Sequence, residues 1–178
     1  MPQYTRTLYR LQDDESHTLY NKDYGFLARD LRTEINFNPR CKSEKSVLFR
    51  TLDLHLDWGN RIDTPFISVY DDRDTAIEYA MMRLNRGKTG VRIGEIEVGW
   101  HNDVEFRSVP KLAESKEYEI DYRALSHSRH ECLVLHWIPP WCIVGWITTR
   151  QLQNERDRGI RGYSWYISTL DCSDLTPY

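Results

Sequence analysis

The run from Glu131 to Ile138, Glu-Cys-Leu-Val-Leu-His-Trp-Ile, closed by Pro139 and Pro140, constrains this chain more than any other segment. It is apolar on both alternating faces, so a strand made of it must lie inside a sheet with cover on each side. The backbone of such a strand also needs a hydrogen-bonding neighbour at each edge, which the rest of the chain has to supply. Glu131 adds a second demand. A carboxylate that enters a core requires a partner, and a structural salt bridge is the default.

Candidate neighbours are present. Tyr4 to Leu11 carries the β-favouring Tyr4, Thr5, Thr7, Leu8 and Tyr9. Thr64 to Tyr70 reads as a short strand with Pro65 near its start, where a missing N–H is tolerated. Val91 to Val98 and Ile143 to Thr149 supply two more, with Gly94 marking a bulge. Between strands, Asp71 or Asp72 caps a helix to about Asn85, with Ile77, Ala80, Met81 and Leu84 at the spacing of one buried stripe. Gly87 is placed to end it. Asp13 to Tyr24 is turn-rich, and Gly25-Phe26-Leu27 returns to the core. Residues 36–45 read as a loop, and Ser46 to Trp58 fits neither the helical nor the strand period. Lys111 to Tyr122 reads as a charged surface loop or helix, Gln151 to Arg161 as a polar connection, and Tyr163 to Leu170 as an aromatic segment. The expected fold is α+β, weighted toward β, in one domain spanning residues 1–178.

Some classes of function fall away. A formal charge of −3 gives no strong net attraction to nucleic acid, although a local basic patch stays open. The longest apolar stretch, Cys132 to Ile147, is broken by His136, two prolines and Gly145, so it cannot span a membrane. No signal peptide is legible, which leans toward a cytoplasmic protein and leaves a secreted effector open. Cys41, Cys132, Cys142 and Cys172 form no CxxC pair; no zinc site is expected, and they read as mostly free thiols.

Three segments carry possible chemistry: Leu8-Tyr9-Arg10, Pro65-Phe66-Ile67-Ser68-Val69-Tyr70, and the run from Glu131 to Pro139. Taken singly, Arg10 is an ordinary ion-pair residue and Ser68 an ordinary strand-end residue. Together they resemble the cholera and heat-labile enterotoxin branch of the ADP-ribosyltransferases. Its pattern is a Leu-Tyr-Arg strand, an aromatic-x-Ser strand leading into a helix, and a catalytic Glu heading a strand that ends in Ile-Pro. Here Ile138 and Pro139 follow Glu131 at the family's offsets. Ile143-Val144-Gly145-Trp146 and the basic, Tyr-containing stretch 158–163 extend the resemblance, which spans residues 4–167.

The resemblance implies NAD⁺ as substrate and a cleft between two small, mostly antiparallel sheets packed roughly at right angles with flanking helices. Arg10 would bind the pyrophosphate, since an Arg fork matches phosphate oxygens. Glu131 would stabilise the positive charge that builds on the ribose as nicotinamide leaves. Ser68 would orient Glu131, and His55 would help to position NAD⁺. Tyr70 or Tyr79 would stack on nicotinamide.

One departure matters. Two positions before Glu131 the family has Glu, or Gln, and this chain has Arg129. A cation on the acceptor side repels an incoming guanidinium, so the expected acceptor is a macromolecule modified elsewhere than on arginine. Two alternatives remain: an NAD⁺ glycohydrolase, whose acceptor is water, and an inactive binding module with Arg10 and Glu131 locked in an ion pair. The basic group Arg123, His127, Arg129 and His130 slightly favours a negatively charged acceptor.

Overall fold

The computed structural model describes residues 5–57, 60, 62–99, 104–114 and 128–157. Six strands form one antiparallel sheet: β1 (Thr5–Gln12), β3 (Phe66–Tyr70), β4 (Arg92–Gly99), β5 (Phe106–Ser108), β6 (Glu131–Leu135) and β8 (Ile143–Ile147). Their order is β5-β6-β3-β1-β4-β8. A second, two-stranded sheet pairs β2 (Phe26–Leu27) with β7 (Trp137–Ile138). The described helices are α1 (Lys42–Leu56), α2 (Arg73–Asn85), α3 (Val109–Ala113) and α4 (Thr149–Asp157). The domain is therefore α+β. None of the described helices is long and apolar enough to cross a membrane.

β6 is the interior strand that its composition demands, paired with β3 on one side and β5 on the other. The run does not stay in one sheet to Ile138. At His136 the backbone turns to a positive φ of 58°. The His136 N–H donates to the Pro65 carbonyl, and the His136 carbonyl accepts from the Ala28 N–H. That turn moves the chain from β6 into β7 and onto Phe26 and Leu27.

The two antiparallel sheets are unequal, one of six strands and one of two. The large sheet is itself divided. β1 meets β3 at a single register pair, Tyr9 with Tyr70, whereas β1 runs beside β4 for all eight of its residues.

Side-chain alternation assigns each face. Ile67 and Val69 join Leu8, Ile96, Cys132 and Val134 in a core closed by Phe26, Ile138 and Cys142. On the other face, α1 and α3 cover Phe66 and Leu133, while α2 and α4 cover Leu11, Ile93 and Ile147. Each fully buried Leu, Ile or Phe in these clusters contributes about 1.5–3 kcal/mol. Between the two pairs of helices lie Ser68, Tyr70 and Glu131, only partly buried.

Local details follow from sequence with a few corrections. The Asp72 carboxylate accepts from the Thr75 N–H and caps α2, and Gly87 follows its end with φ 77°. Ile77 and Ala80 are buried, with Met81 and Leu84 packed against the same cluster. α1 starts at Lys42, inside the segment expected to be a loop, and resolves the ambiguity of the segment from Ser46 in favour of helix as far as Leu56, because Leu48, Leu52 and Leu56 fall on one face; Trp58 lies outside the described residues. Part of the connection expected from Gln151 to Arg161 is helical, with Leu152 buried under it. The register shift in β4 falls between Glu95 and Ile96, one residue past Gly94. Cys41 and Cys132 are free thiols, and among the described residues no group of three or more His, Cys, Asp or Glu could hold a metal ion. Cys172, Tyr4, Arg123, His127, most of Lys111 to Tyr122, and the aromatic and basic segments after residue 157 lie outside the described residues.

Candidate active site

Ser68 is the hub of the site. Strand alternation puts Phe66, Ser68 and Tyr70 on the face toward α1 and α2, and Tyr70 pairs in register with Glu131. His55, near the end of α1, places Nε2 2.9 Å from the Ser68 Oγ and Nδ1 2.6 Å from the Thr64 Oγ1. The Ser68 hydroxyl lies beside the Glu131 carboxylate and favours its ionised form. Ser128, almost wholly buried, donates its hydroxyl to the same carboxylate at 2.9 Å.

The donors determine the protons. A serine hydroxyl has one hydrogen, and Ser68 can turn it toward Glu131 when it accepts from His55. In that arrangement Nε2 carries the imidazole proton and Nδ1 accepts from Thr64. Burial, helped by the positive charge of Arg10, pushes His55 down to about 4, which keeps it neutral and compatible with that relay. Burial pushes Glu131 upward, and the Ser68 and Ser128 hydroxyls and Arg10 work against that rise.

Arg10 leaves β1 on the side of Leu8, with its guanidinium 6.0 Å from the centre of the Phe26 ring. Where β1 and β3 part, its Nη1 donates to the Ser68 carbonyl at 2.7 Å, and its Nη2 lies 3.5 Å from the Thr18 carbonyl. Its Nε is buried without a hydrogen-bond partner. Burial, then the nearby charge of Arg83, lower it to about 10, so it stays a cation at neutral pH. Arg83 is itself held by Asp13 at 2.8 Å. Arg10 makes no ion pair with Glu131 among the described residues.

The structure thus brings Arg10, Ser68, His55 and Glu131 together. Tyr70 and Tyr79 are adjacent, but they stack on each other, with centroids 5.2 Å apart and planes 17° from parallel. Burial, then the charge of Glu131, raise both phenols, so both rings are neutral. Arg129 is exposed in the turn before β6. His130 points elsewhere, toward Asp71 at 3.2 Å.

Two members of the site were not singled out from sequence, Thr64 and Ser128. Ser128 had a legible signal, since Ser-x-x-Glu is a spacing at which a hydroxyl reaches a carboxylate across one turn. Thr64 had none, because its role depends on where α1 sets His55.

Chemically, this is a carboxylate flanked by two hydroxyls that favour its ionised form, near an arginine that makes no ion pair with a described carboxylate. Such a set can stabilise a developing positive charge at Glu131 while Arg10 holds an anionic group. Residues 3–152 match the family model described as Domain of unknown function (DUF7587), and the chain belongs to that family. No curated protein matches it.

Proposed function

We propose that this member of the DUF7587 family cleaves NAD⁺ at the nicotinamide–ribose bond and transfers ADP-ribose to a macromolecular acceptor other than an arginine side chain. The observation that carries this reading is the bracing of Glu131 by Ser68 and Ser128, with Arg10 beside it and not paired to it. A structural salt bridge would have joined Arg10 to Glu131, and a spent binding module would have kept that lock.

In the reaction, the bond between the ribose C1 and the nicotinamide nitrogen breaks, and nicotinamide leaves with the electron pair. Glu131 faces the positive charge left on the ribose; removing one such electrostatic contact typically costs about 10²–10³ in kcat. Arg10 supplies the fork for the pyrophosphate. Ser68, aligned by His55, keeps the carboxylate turned to the ribose. The acceptor then gives a lone pair to C1 and loses its proton. Arg129 at the rim disfavours a guanidinium in that role.

The reading extends to the fold. The sheet split at Tyr9 and Tyr70, with helices on either side of the gap, is compatible with an ADP-ribosyltransferase cleft. A cytoplasmic site of action goes with it, either in the producing cell or, for a delivered effector, in a target cell.

The test is nicotinamide release from NAD⁺ by wild type and Glu131→Gln, with and without cell lysate. Release that needs lysate and is lost in the variant supports the transferase. Release that is independent of lysate makes the protein a glycohydrolase. No release under either condition overturns both.

A further inference from the structure

Behind the strand end that carries Glu131, β5 and the start of β1 frame a cavity of about 430 Å³. Phe106 and Ser108 are register partners of Val134 and Cys132 and Arg107 is the partner of Leu133, so the cavity wraps the edge strand β5, with β6 and β3 between it and Arg10. Three cations from three elements line it: Arg6 of β1, Arg107 of β5 and Lys111 of α3.

Their charges are unevenly spent. Arg6 is shared with Asp71 at 2.6 Å and lies over the Phe106 ring at 5.6 Å. Arg107 donates Nη1 to the Phe106 carbonyl, and neither it nor the exposed Lys111 makes an ion pair with a described residue. The Ser108 hydroxyl makes no capping bond to α3 and is left as a donor. Glu105 is the one acid among the described lining residues. A concave wall with surplus positive charge concentrates anions.

We propose that this recess is a second ligand site, separate from Arg10, Ser68 and Glu131, and that it takes a phosphate monoester. A carboxylate brings two oxygens and one charge. A phosphate monoester brings three terminal oxygens and nearly two charges, which match two uncompensated cations, a shared third and a free hydroxyl. The cavity is large enough for the phosphoryl group and part of what bears it. Through Asp71, which holds both Arg6 and His130, the site adjoins the turn before Glu131.

The test is calorimetric titration of the full chain with phenyl phosphate, with benzoate as the carboxylate control. Saturable binding of phenyl phosphate that weakens about tenfold or more in Lys111→Glu, and survives in Lys111→Arg, is the expected result. Arg107→Gln gives a second, independent loss. Equal binding of benzoate, unchanged affinity in Lys111→Glu, or no saturation by about 10 mM overturns the proposal. A phosphoserine peptide and ribose 5-phosphate, titrated in parallel, decide whether the phosphate arrives on protein or on a nucleotide. The same titrations in Glu131→Gln keep this result independent of NAD⁺ cleavage.

Discussion

Nε2 of His55 sits 2.9 Å from Oγ of Ser68, and this contact gives direction to the hydrogen bonds behind Glu131. With Nε2 donating, Ser68 is free to donate onward to the carboxylate. With the other tautomer, Ser68 would spend its only proton on the imidazole and leave Glu131 to Ser128 alone. On the far side the Thr64 hydroxyl meets Nδ1 at 2.6 Å and is free to donate to it when Nε2 carries the proton.

Thr64→Val keeps the shape of that side chain and removes its proton. The Nδ1 acceptor is then buried without a donor, at a cost of about 1–3 kcal/mol. Nicotinamide release should fall about tenfold through kcat, with KM little changed, and Thr64→Ser should restore it. A Val variant with wild-type kcat would show that Thr64 does not set the relay.

His55 also makes stability depend on pH. Its folded pKa is about 4 against an ordinary 6.5. Between those values the unfolded chain binds a proton that the folded chain refuses, so this contribution is full above about 6.5 and is lost as pH falls toward 4. Going from about pH 7 to about pH 5 should remove about 2 kcal/mol by this route. Urea unfolding at the two pH values should show that loss in wild type and lack it in His55→Gln. Equal slopes in the two proteins would sink the assignment.

In the proposed NAD⁺ cleavage, Glu131 should give the activity an acid limb. Its carboxyl is raised above 4.5 by burial and must be ionised to face the ribose charge. The limb of kcat/KM therefore lies above 4.5. Ser128→Ala or Ser68→Ala removes a hydroxyl that favours the ionised form, so each should move the limb to higher pH. A pH profile of nicotinamide release that stays in place, or moves down, contradicts the bracing.

Much of this was legible in sequence, and the rest was not for identifiable reasons. The order Arg10, Ser68, Glu131 and the helix from Asp72 could be read because each rests on local pattern: a strand, a cap, a 3.6-residue stripe. The unity of the large sheet could not. It depends on whether Tyr9 meets Tyr70, a contact between segments sixty residues apart in which either ring could equally have faced solvent. The break at His136 was hidden because a positive φ in a non-glycine residue is imposed by tertiary hydrogen bonds, here from Ala28 and to Pro65. Thr64 and the mutual stacking of Tyr70 and Tyr79 belong to the same class, since both follow from where helices land.

Two glycines with nearly equal dihedrals should respond very differently to alanine. Gly25 and Gly87 have φ of 74° and 77°. A Cβ on Gly87 meets nothing within 4 Å, so Gly87→Ala carries only the left-handed cost of about 1–2 kcal/mol. A Cβ on Gly25 would be driven into the Ile138 carbonyl, with Pro140 N at 2.8 Å and Pro139 C at 2.9 Å. Gly25→Ala should therefore lower the Tm by about 10 °C or more, several times the effect at Gly87. Similar shifts in calorimetry would mean that β2 does not press on the Ile-Pro end of the Glu131 run.

Arg129 offers the sharpest test of acceptor choice. It is exposed in the turn two residues ahead of Glu131, on the acceptor side in the proposed reaction. Its positive charge disfavours a guanidinium there and leaves anionic or neutral nucleophiles unopposed. Arg129→Glu reverses that field without touching the hydroxyls that brace Glu131, since those come from Ser68 and Ser128. The variant should retain NAD⁺ cleavage and gain transfer to a small guanidine such as agmatine, by about tenfold or more over wild type, because replacing repulsion with attraction at a rim position shifts binding by a kilocalorie or so. Mass spectrometry of the agmatine product reads the gain directly. Cleavage retained with no guanidine product would mean that the acceptor is selected elsewhere, and Arg129 would lose its place in the site.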